Sequence, residues 1–255
     1  MANPDPTQRF SDRADAYAAA RPSYPDAIAP LLVRELALPA DATVADLGYG
    51  TGLSCVPFLR AGLAVIGVEP NDAMRTAGEK FLAAQGSFRS VAGKAEATTL
   101  ADASVDLVVA AQAAHWFDLP AAHAEALRIL RRPPRAALIW NDRLSTGSAF
   151  AEGYEVLLRD FGAEYLKIRH RHAAEETVAA FFGGPYRETT LPNTTRLDFP
   201  TLVSRVDSAS YMPQRGSTAH AAMVAQLRKL FDASARDGMV AMEYVTRIFF
   251  GELAR

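Results

Sequence analysis

Val44-Ala45-Asp46-Leu47-Gly48-Tyr49-Gly50-Thr51-Gly52 reads as a short buried strand that runs into a glycine-rich turn and then opens a helix. Three glycines let the backbone turn sharply and approach a ligand closely, and the helix start beyond them offers unpaired N–H groups. The spacing Gly48-x-Gly50-x-Gly52 differs from the dinucleotide fingerprint G-x-G-x-x-G, and an acid, Asp46, stands just ahead of it. That carboxylate repels a pyrophosphate and attracts a cation. The turn therefore favours a nucleoside-like ligand that carries positive charge and no phosphate.

Working outward, short apolar runs alternate with helical patterns. A helix within Pro25–Leu36 precedes strand 43–47, helix 52–60, strand 64–68, helix 72–84, strand 88–92, strand 105–111, helix 119–131 and strand 136–140. Such alternation predicts βαβ units and a parallel sheet covered on both faces. After Asn141 the alternation stops, and residues 142–186 read as a helical insert. It follows the carboxyl end of a central strand, the side on which open α/β sheets bind ligands, so it is placed to close over a substrate. Strand signals return near 187–199, a helix follows over 217–235, and 239–250 alternates as a last strand. Residues 1–25, with Tyr17 and Tyr24 and punctuated by Pro22 and Pro25, read as a lid segment over a cleft. One domain over 1–255 is expected.

Composition narrows the role. At 255 residues and 49% hydrophobic content the chain can bury a large core. The 29 acidic and 27 basic residues nearly cancel, so the overall field predicts neither nucleic acid nor an anionic membrane as partner. A small-molecule acceptor is the expected partner. Cys55 is the single cysteine, no apolar run precedes Arg9, and no stretch of eighteen apolar residues occurs, which predicts a cytoplasmic protein without a membrane span. No metal-ligand spacing appears. The 23 arginines against 4 lysines fit a GC-rich bacterial genome and carry no functional weight. Oligomeric state is not readable, since no sustained heptad appears.

Further motifs surround the turn. Val65-Ile66-Gly67-Val68-Glu69-Pro70 ends the second strand with an acid able to accept hydrogen bonds from two ribose hydroxyls, or else to cap the next helix. Gly93-Lys94-Ala95-Glu96 follows the third strand, where a loop could supply a backbone N–H and an acceptor to an adenine edge. Gln112-Ala113-Ala114-His115-Trp116-Phe117 ends the fourth. His115 is there either a base or substrate contact, or a ring packed on Trp116. The Asp46 charge and the glycine spacing point away from NAD and toward S-adenosylmethionine, whose sulfonium and ammonium are cationic.

The order D-L-G-x-G-T-G, G-V-E-P, G-K-A-E, S-V-D-L-V-V-x-x-Q-x-x-H-W-F and L-R-x-L-R-x-x-x-R-A-A-L-I-W resembles the class I S-adenosylmethionine-dependent methyltransferases. Within them it is similar to the small-molecule group that holds trans-aconitate and ubiquinone or menaquinone methyltransferase-like proteins. The resemblance implies a Rossmann-like doubly wound α/β fold with a seven-stranded sheet ordered 3-2-1-4-5-7-6 and strand 7 antiparallel. It assigns Gly48, Gly50 and Gly52 to the methionine and ribose of the cofactor, Asp46 to its ammonium and Glu69 to the ribose, beside Pro70. Met74 would pack on the adenine with Ala95 and Glu96 on its edge, and Gln112 would face the methionyl tail. From the lid, Tyr17 would approach the reactive methyl and Arg21 the cofactor carboxylate.

Two positions depart from the family pattern. Tyr49 stands where relatives carry a small residue, and its ring either crowds the methionine tail or shapes the substrate side. Arg132-Pro133-Pro134-Arg135 replaces a Pro-Gly-Gly turn before the fifth strand. The run Arg128, Arg131, Arg132, Arg135 suits a solvated helix C-terminus. Lys167, Arg169, His170, Arg171 and His172 either attract an acidic substrate or form an exposed helix face. Methyl transfer needs alignment and exclusion of water, and a base only for some acceptors. His115, Tyr17, Asp142 and His170 are the candidate bases. The expected function is methyl transfer to an O or N atom of a small molecule, a polycarboxylic acid or a secondary-metabolite nitrogen heterocycle. The alternatives are C-methylation, a non-methyl reaction on the same cofactor, an NAD-dependent oxidoreductase, and a non-catalytic cofactor-binding protein.

Overall fold

The computed structural model describes residues 21–163, 165, 174–209 and 211–254. In chain order these form α1 (Ile28–Glu35), β1 (Thr43–Leu47), α2 (Val56–Arg60), β2 (Ala64–Val68), α3 (Asp72–Leu82), β3 (Phe88–Val91) and β4 (Val105–Ala111). There follow α4 (Leu119–Ile129), β5 (Leu130–Arg143), α5 (Ala149–Phe161), α6 (Ala174–Phe182), β6 (Arg187–Leu197), α7 (Phe199–Asp207), α8 (Thr218–Ser234) and β7 (Val240–Glu252). The strands make one seven-stranded sheet in the order β3-β2-β1-β4-β5-β7-β6. Strand β7 runs antiparallel to both neighbours, and the other described pairings are parallel. The order and direction are those the family resemblance implied.

Burial explains the order. All seven residues of β4 are buried, as a parallel strand covered on both faces requires. On one face Ala122, Ala126 and Ile129 of α4 join Val178, Phe181 and Phe182 of α6 over Leu138, Trp140 and Phe249. On the other, Ile28 and Leu32 of α1 and Phe58 of α2 pack on Val44, Leu107, Ile139 and Ile248. A third cluster forms a cap where Phe150, Tyr154 and Leu157 of α5 meet Leu202 and Val206 of α7, Met223, Leu227 and Phe231 of α8, and Met242 and Tyr244 of β7.

Four details differ from the sequence expectation. Helix 52–60 begins only at Val56, because Gly52 holds φ +92° and Pro57 belongs in a first helical turn, where its missing N–H costs nothing. The fifth strand extends over 130–143 instead of 136–140, since thirteen-residue β7 pairs with it out to Arg143 opposite Tyr244. The Arg132–Arg135 segment lies inside its irregular start, where the register with β4 slips between Val105 and Leu107. Strand 187–199 stops at Leu197, and α7 follows with the Asp198 carboxylate accepting from the Thr201 N–H as an N-cap.

The expected insert at 142–186 is divided. Its first helix, α5, joins the cap, whereas α6 packs on the sheet face against α4. The cap also takes in α7 and α8, from outside that range, because amphipathic helices need a partner for their apolar stripe and find it in one another.

Candidate cofactor and acceptor site

The glycine turn leaves β1 and lies at the carboxyl ends of β1, β2 and β4. Gly48, Gly50 and Gly52 have φ of +72°, +58° and +92°. A Cβ on Gly48 would stand 2.9 Å from the Ala113 methyl, and one on Gly50 would stand 3.3 Å from the Met74 Cε. Glycine is thus required for conformation and for room at Gly48. The same contacts bring Met74, from the start of α3, and the segment after β4 against the turn.

Two buried carboxylates flank it. Asp46 is fully buried; its Oδ2 accepts from the Ser54 hydroxyl at 2.5 Å and the Cys55 thiol at 3.3 Å, while Oδ1 has no hydrogen-bond partner among the described residues. Burial lifts its pKa to about 6, with the Ser54 and Cys55 hydrogen bonds opposing. Glu69 accepts from the Gly50 N–H at 3.1 Å on one oxygen and from the Asn71 N–H at 2.9 Å on the other. Burial raises its pKa too, against those two donors and the Arg75 charge. It therefore does more than cap α3, whose N-cap is Asn71, accepting from the Met74 N–H at 2.9 Å. Two desolvated acids around a glycine-rich turn suit a cation and hydroxyl donors and would repel a diphosphate.

The segment after β4 turns at Gln112, which holds φ +53°, a conformation costly for a residue with a Cβ and one that clusters at functional sites. Its N–H donates to the Ile139 carbonyl and its side-chain amide to the Asn141 carbonyl, tying β4 to β5. His115 is half-buried between Ala113 and Phe117, both of which face Gly48, and its ring lies 4.9 Å from that of Trp116. Ala95 is buried, and Glu96 accepts from the Asp118 N–H at 2.8 Å, which fastens the third-strand loop to the start of α4. Pro70 is half-buried at the β2 exit.

Tyr49 is placed differently from either sequence expectation. Its ring is 3% exposed and fills the space beside two glycines: a Cβ on Gly67 would lie 2.5 Å from it and one on Gly78 2.6 Å. Its hydroxyl donates to the Arg75 carbonyl at 3.2 Å and shares a 2.9 Å hydrogen bond with Ser90. The ring packs between β2 and α3 and edge-on to Phe88, so its side chain braces the turn from behind and leaves only its backbone on the ligand side. Room for it comes from Gly67 and Gly78, far along the chain, which the local motif does not reveal.

The structure also brings together residues that the motifs do not mark. Asn141 is buried at the end of β5; its Oδ1 accepts from Thr246 at 2.5 Å and Asn193 at 3.2 Å, and the amide groups of Asn141 and Asn193 both donate to the Ser23 carbonyl, at 3.2 and 2.7 Å. This network fastens residue 23 to the sheet. A polar residue closing the apolar run Ala136–Trp140 was the only sequence signal for it. Arg21 is exposed just before this anchor. Tyr17, Lys167, Arg169, His170, Arg171 and His172 lie outside the described residues. Among the described residues no group of His, Cys, Asp and Glu is disposed to hold a metal ion, and no helix is long and apolar enough to cross a membrane.

This sheet order is the one that the methyltransferase resemblance implied, and similarity to known proteins agrees. Residues 45–135 match the model of the methyltransferase domain family. An uncharacterised methyltransferase of Mycobacterium tuberculosis is 32% identical over 95% of this chain and 94% of its own length. A methyltransferase-like protein of Schizosaccharomyces pombe is 35% identical over 53% of this chain and 52% of its own. Among solved structures, a protein assigned as a type II methyltransferase from Anaeromyxobacter dehalogenans superposes with TM-score 0.70 at 22% identity, covering 91% of this chain and 98% of that one. The chain belongs to the class I S-adenosylmethionine-dependent methyltransferases, and its cofactor is S-adenosylmethionine.

Proposed function

We propose that the chain transfers the methyl group to an oxygen or nitrogen atom of a small molecule, a polycarboxylic acid or a nitrogen heterocycle being the acceptor classes that fit. The observation that carries this is the position of His115, a titratable ring between two residues that touch the glycine turn, where it can take a proton from a hydroxyl or ring N–H acceptor. The bound cofactor supplies an electrophilic methyl with a neutral thioether as leaving group. The chain's residues hold and align it. In this reading the unpartnered Asp46 Oδ1 faces the ammonium, Glu69 takes the ribose hydroxyls, and Gly48 and Gly50 admit the backbone close to the ligand. Met74 and Ala95 pack by the adenine with Glu96 and Pro70 at its border, and Gln112 borders the methionyl tail. In the same reading Arg21 faces the cofactor carboxylate, two residues before the Ser23 carbonyl that Asn141 and Asn193 hold. Alignment and exclusion of water supply most of the rate.

The test has two stages. Calorimetry is expected to show S-adenosylhomocysteine binding without comparable NAD binding, and Glu69→Ala is expected to weaken it at least thirtyfold. Methyl-labelled cofactor incubated with a fractionated metabolite extract should then yield a labelled product whose new bond, read by NMR, is O–CH3 or N–CH3, and where the accepting atom starts with a proton, as in a hydroxyl or ring N–H, His115→Ala should slow its formation at least tenfold. A C–CH3 product, or label that stays on the cofactor, overturns the proposal.

A further inference from the structure

We propose that the cap holds a recognition site for an anionic group of the acceptor, of the carboxylate kind, formed by the Tyr244 hydroxyl together with Arg205 and Arg143. The inference rests on the methyltransferase reading of the neighbouring turn and names the kind of acceptor it serves. Its strongest support is a hydroxyl with nothing to bond: Tyr244 is 4% exposed, and its Oη has no hydrogen-bond partner among the described residues. Buried polar groups are normally paired, and an exception asks for a missing partner.

The surroundings say what that partner carries. The Arg205 guanidinium, from α7, lies 5.3 Å from the centre of the Tyr244 ring. Arg143 is the residue opposite Tyr244 in the β5–β7 ladder, so the two share a face, and its guanidinium lies 5.0 Å from the centre of the Tyr154 ring. One carboxylate, Glu155, is buried here and engages Arg143 at 2.5 Å, Arg159 at 3.4 Å and the Tyr165 hydroxyl at 2.8 Å. Asp207, at the end of α7, engages Arg215 and His220. Among the described residues, the charged side chains that act on Tyr244 are the cations Arg205, Arg143 and Arg21. Burial raises the pKa of Tyr244 to about 12 and that of Tyr211 to about 12, while the positive charges of Arg143 and Arg21 oppose the rise at both, joined at Tyr244 by Arg205. An O–H donor in a positive, desolvated setting is complementary to a carboxylate oxygen.

The site is within reach of the cofactor turn. Gln112, beside the turn, bonds Asn141, which bonds Thr246, two residues from Tyr244 on the same face of β7. Strands β4 and β7 are separated by β5 alone, about 10 Å at the usual strand spacing. A small acceptor spans that distance, with its anionic group as a handle and its methyl-accepting atom at the other end.

The experiment uses protein loaded with S-adenosylhomocysteine and ligand-observed NMR titration of three matched pairs: acetate and acetamide, benzoate and benzamide, 3-phenylpropionate and its amide. At least one carboxylate is expected to bind at least fivefold tighter than its amide. Tyr244→Phe, which keeps the ring, and Arg205→Met should each erase that preference while leaving the affinity for S-adenosylhomocysteine within twofold. No preference in any pair, or a preference that survives both substitutions, overturns the proposal. Failure of the wild type to bind S-adenosylhomocysteine overturns the methyltransferase reading itself, so the two failures are distinct.

Discussion

The two ends of the cleft are made in opposite ways. At the turn between β1 and α2, backbone atoms and two acids are fixed by short contiguous motifs, and the Gly50 N–H reaches Glu69 across nineteen positions. At the far end, Asn141 meets Thr246 across 105 positions and Ser23 across 118, and the cap gathers α5, α7 and α8. In the proposed reading the cofactor, common to many enzymes, is held by glycine geometry that few sequences can supply, and the acceptor by side chains on packed helices, which can be exchanged without touching the turn.

Substitutions separate the two ends. The largest effect is expected at Gly48→Val, which adds a β-branched side chain at φ +72° against the Ala113 methyl. Calorimetry should show S-adenosylhomocysteine affinity reduced at least a hundredfold; retention within threefold would mean that the turn does not hold the cofactor.

Next in size is Asp46→Asn. The folded-state pKa of about 6 stands above the ordinary 3.8, so folding favours the neutral carboxyl. The stability this gives is full below pH 3.8 and is lost as pH rises through about 6. The asparagine variant without ligand should therefore be more stable than wild type above pH 6, by up to about 3 kcal/mol, and lose this advantage near pH 4. Cofactor affinity should move the other way: in wild type it rises from pH 5 to pH 7 as Asp46 ionises, and in the variant it is weaker and flat. Thermal melts with and without S-adenosylhomocysteine across this range read both, and a variant that binds as well as wild type at pH 7.5 would remove Asp46 from the site.

The smallest effect is expected at Tyr49→Phe. Losing a hydroxyl shared by Arg75 and Ser90 should cost about 1 kcal/mol in denaturant unfolding and leave cofactor affinity within twofold. A tenfold loss of affinity without a matching loss of stability would return Tyr49 to the ligand side. In this it contrasts with its neighbours Gly48 and Gly50.

Much of the fold was legible because its signals are local and periodic. β1, β2 and β4 occur with the expected bounds, and the strand order follows from the family resemblance. Of the candidate site, Asp46, Gly48, Gly50, Glu69, Met74 and Gln112 lie together at the strand ends, with Ala95 and Glu96 on the adjoining loop. Less visible were features whose partner is distant. The length of β5 depends on β7, the partition of 142–186 depends on which apolar stripe each helix covers, and α7 was hidden behind a strand that ends one residue before its cap.

The sequence by itself determined the parallel core, the glycine turn and the acids beside it, because strand period, glycine conformation and charge are properties of a few adjacent residues. Only the tertiary structure decided that the Tyr49 ring supports the turn from behind, that Ser23 is fastened by two asparagines, and that Tyr244 meets the Arg205 guanidinium and stands opposite Arg143. Those outcomes depend on which distant surfaces pack together, and packing is settled by the whole core at once.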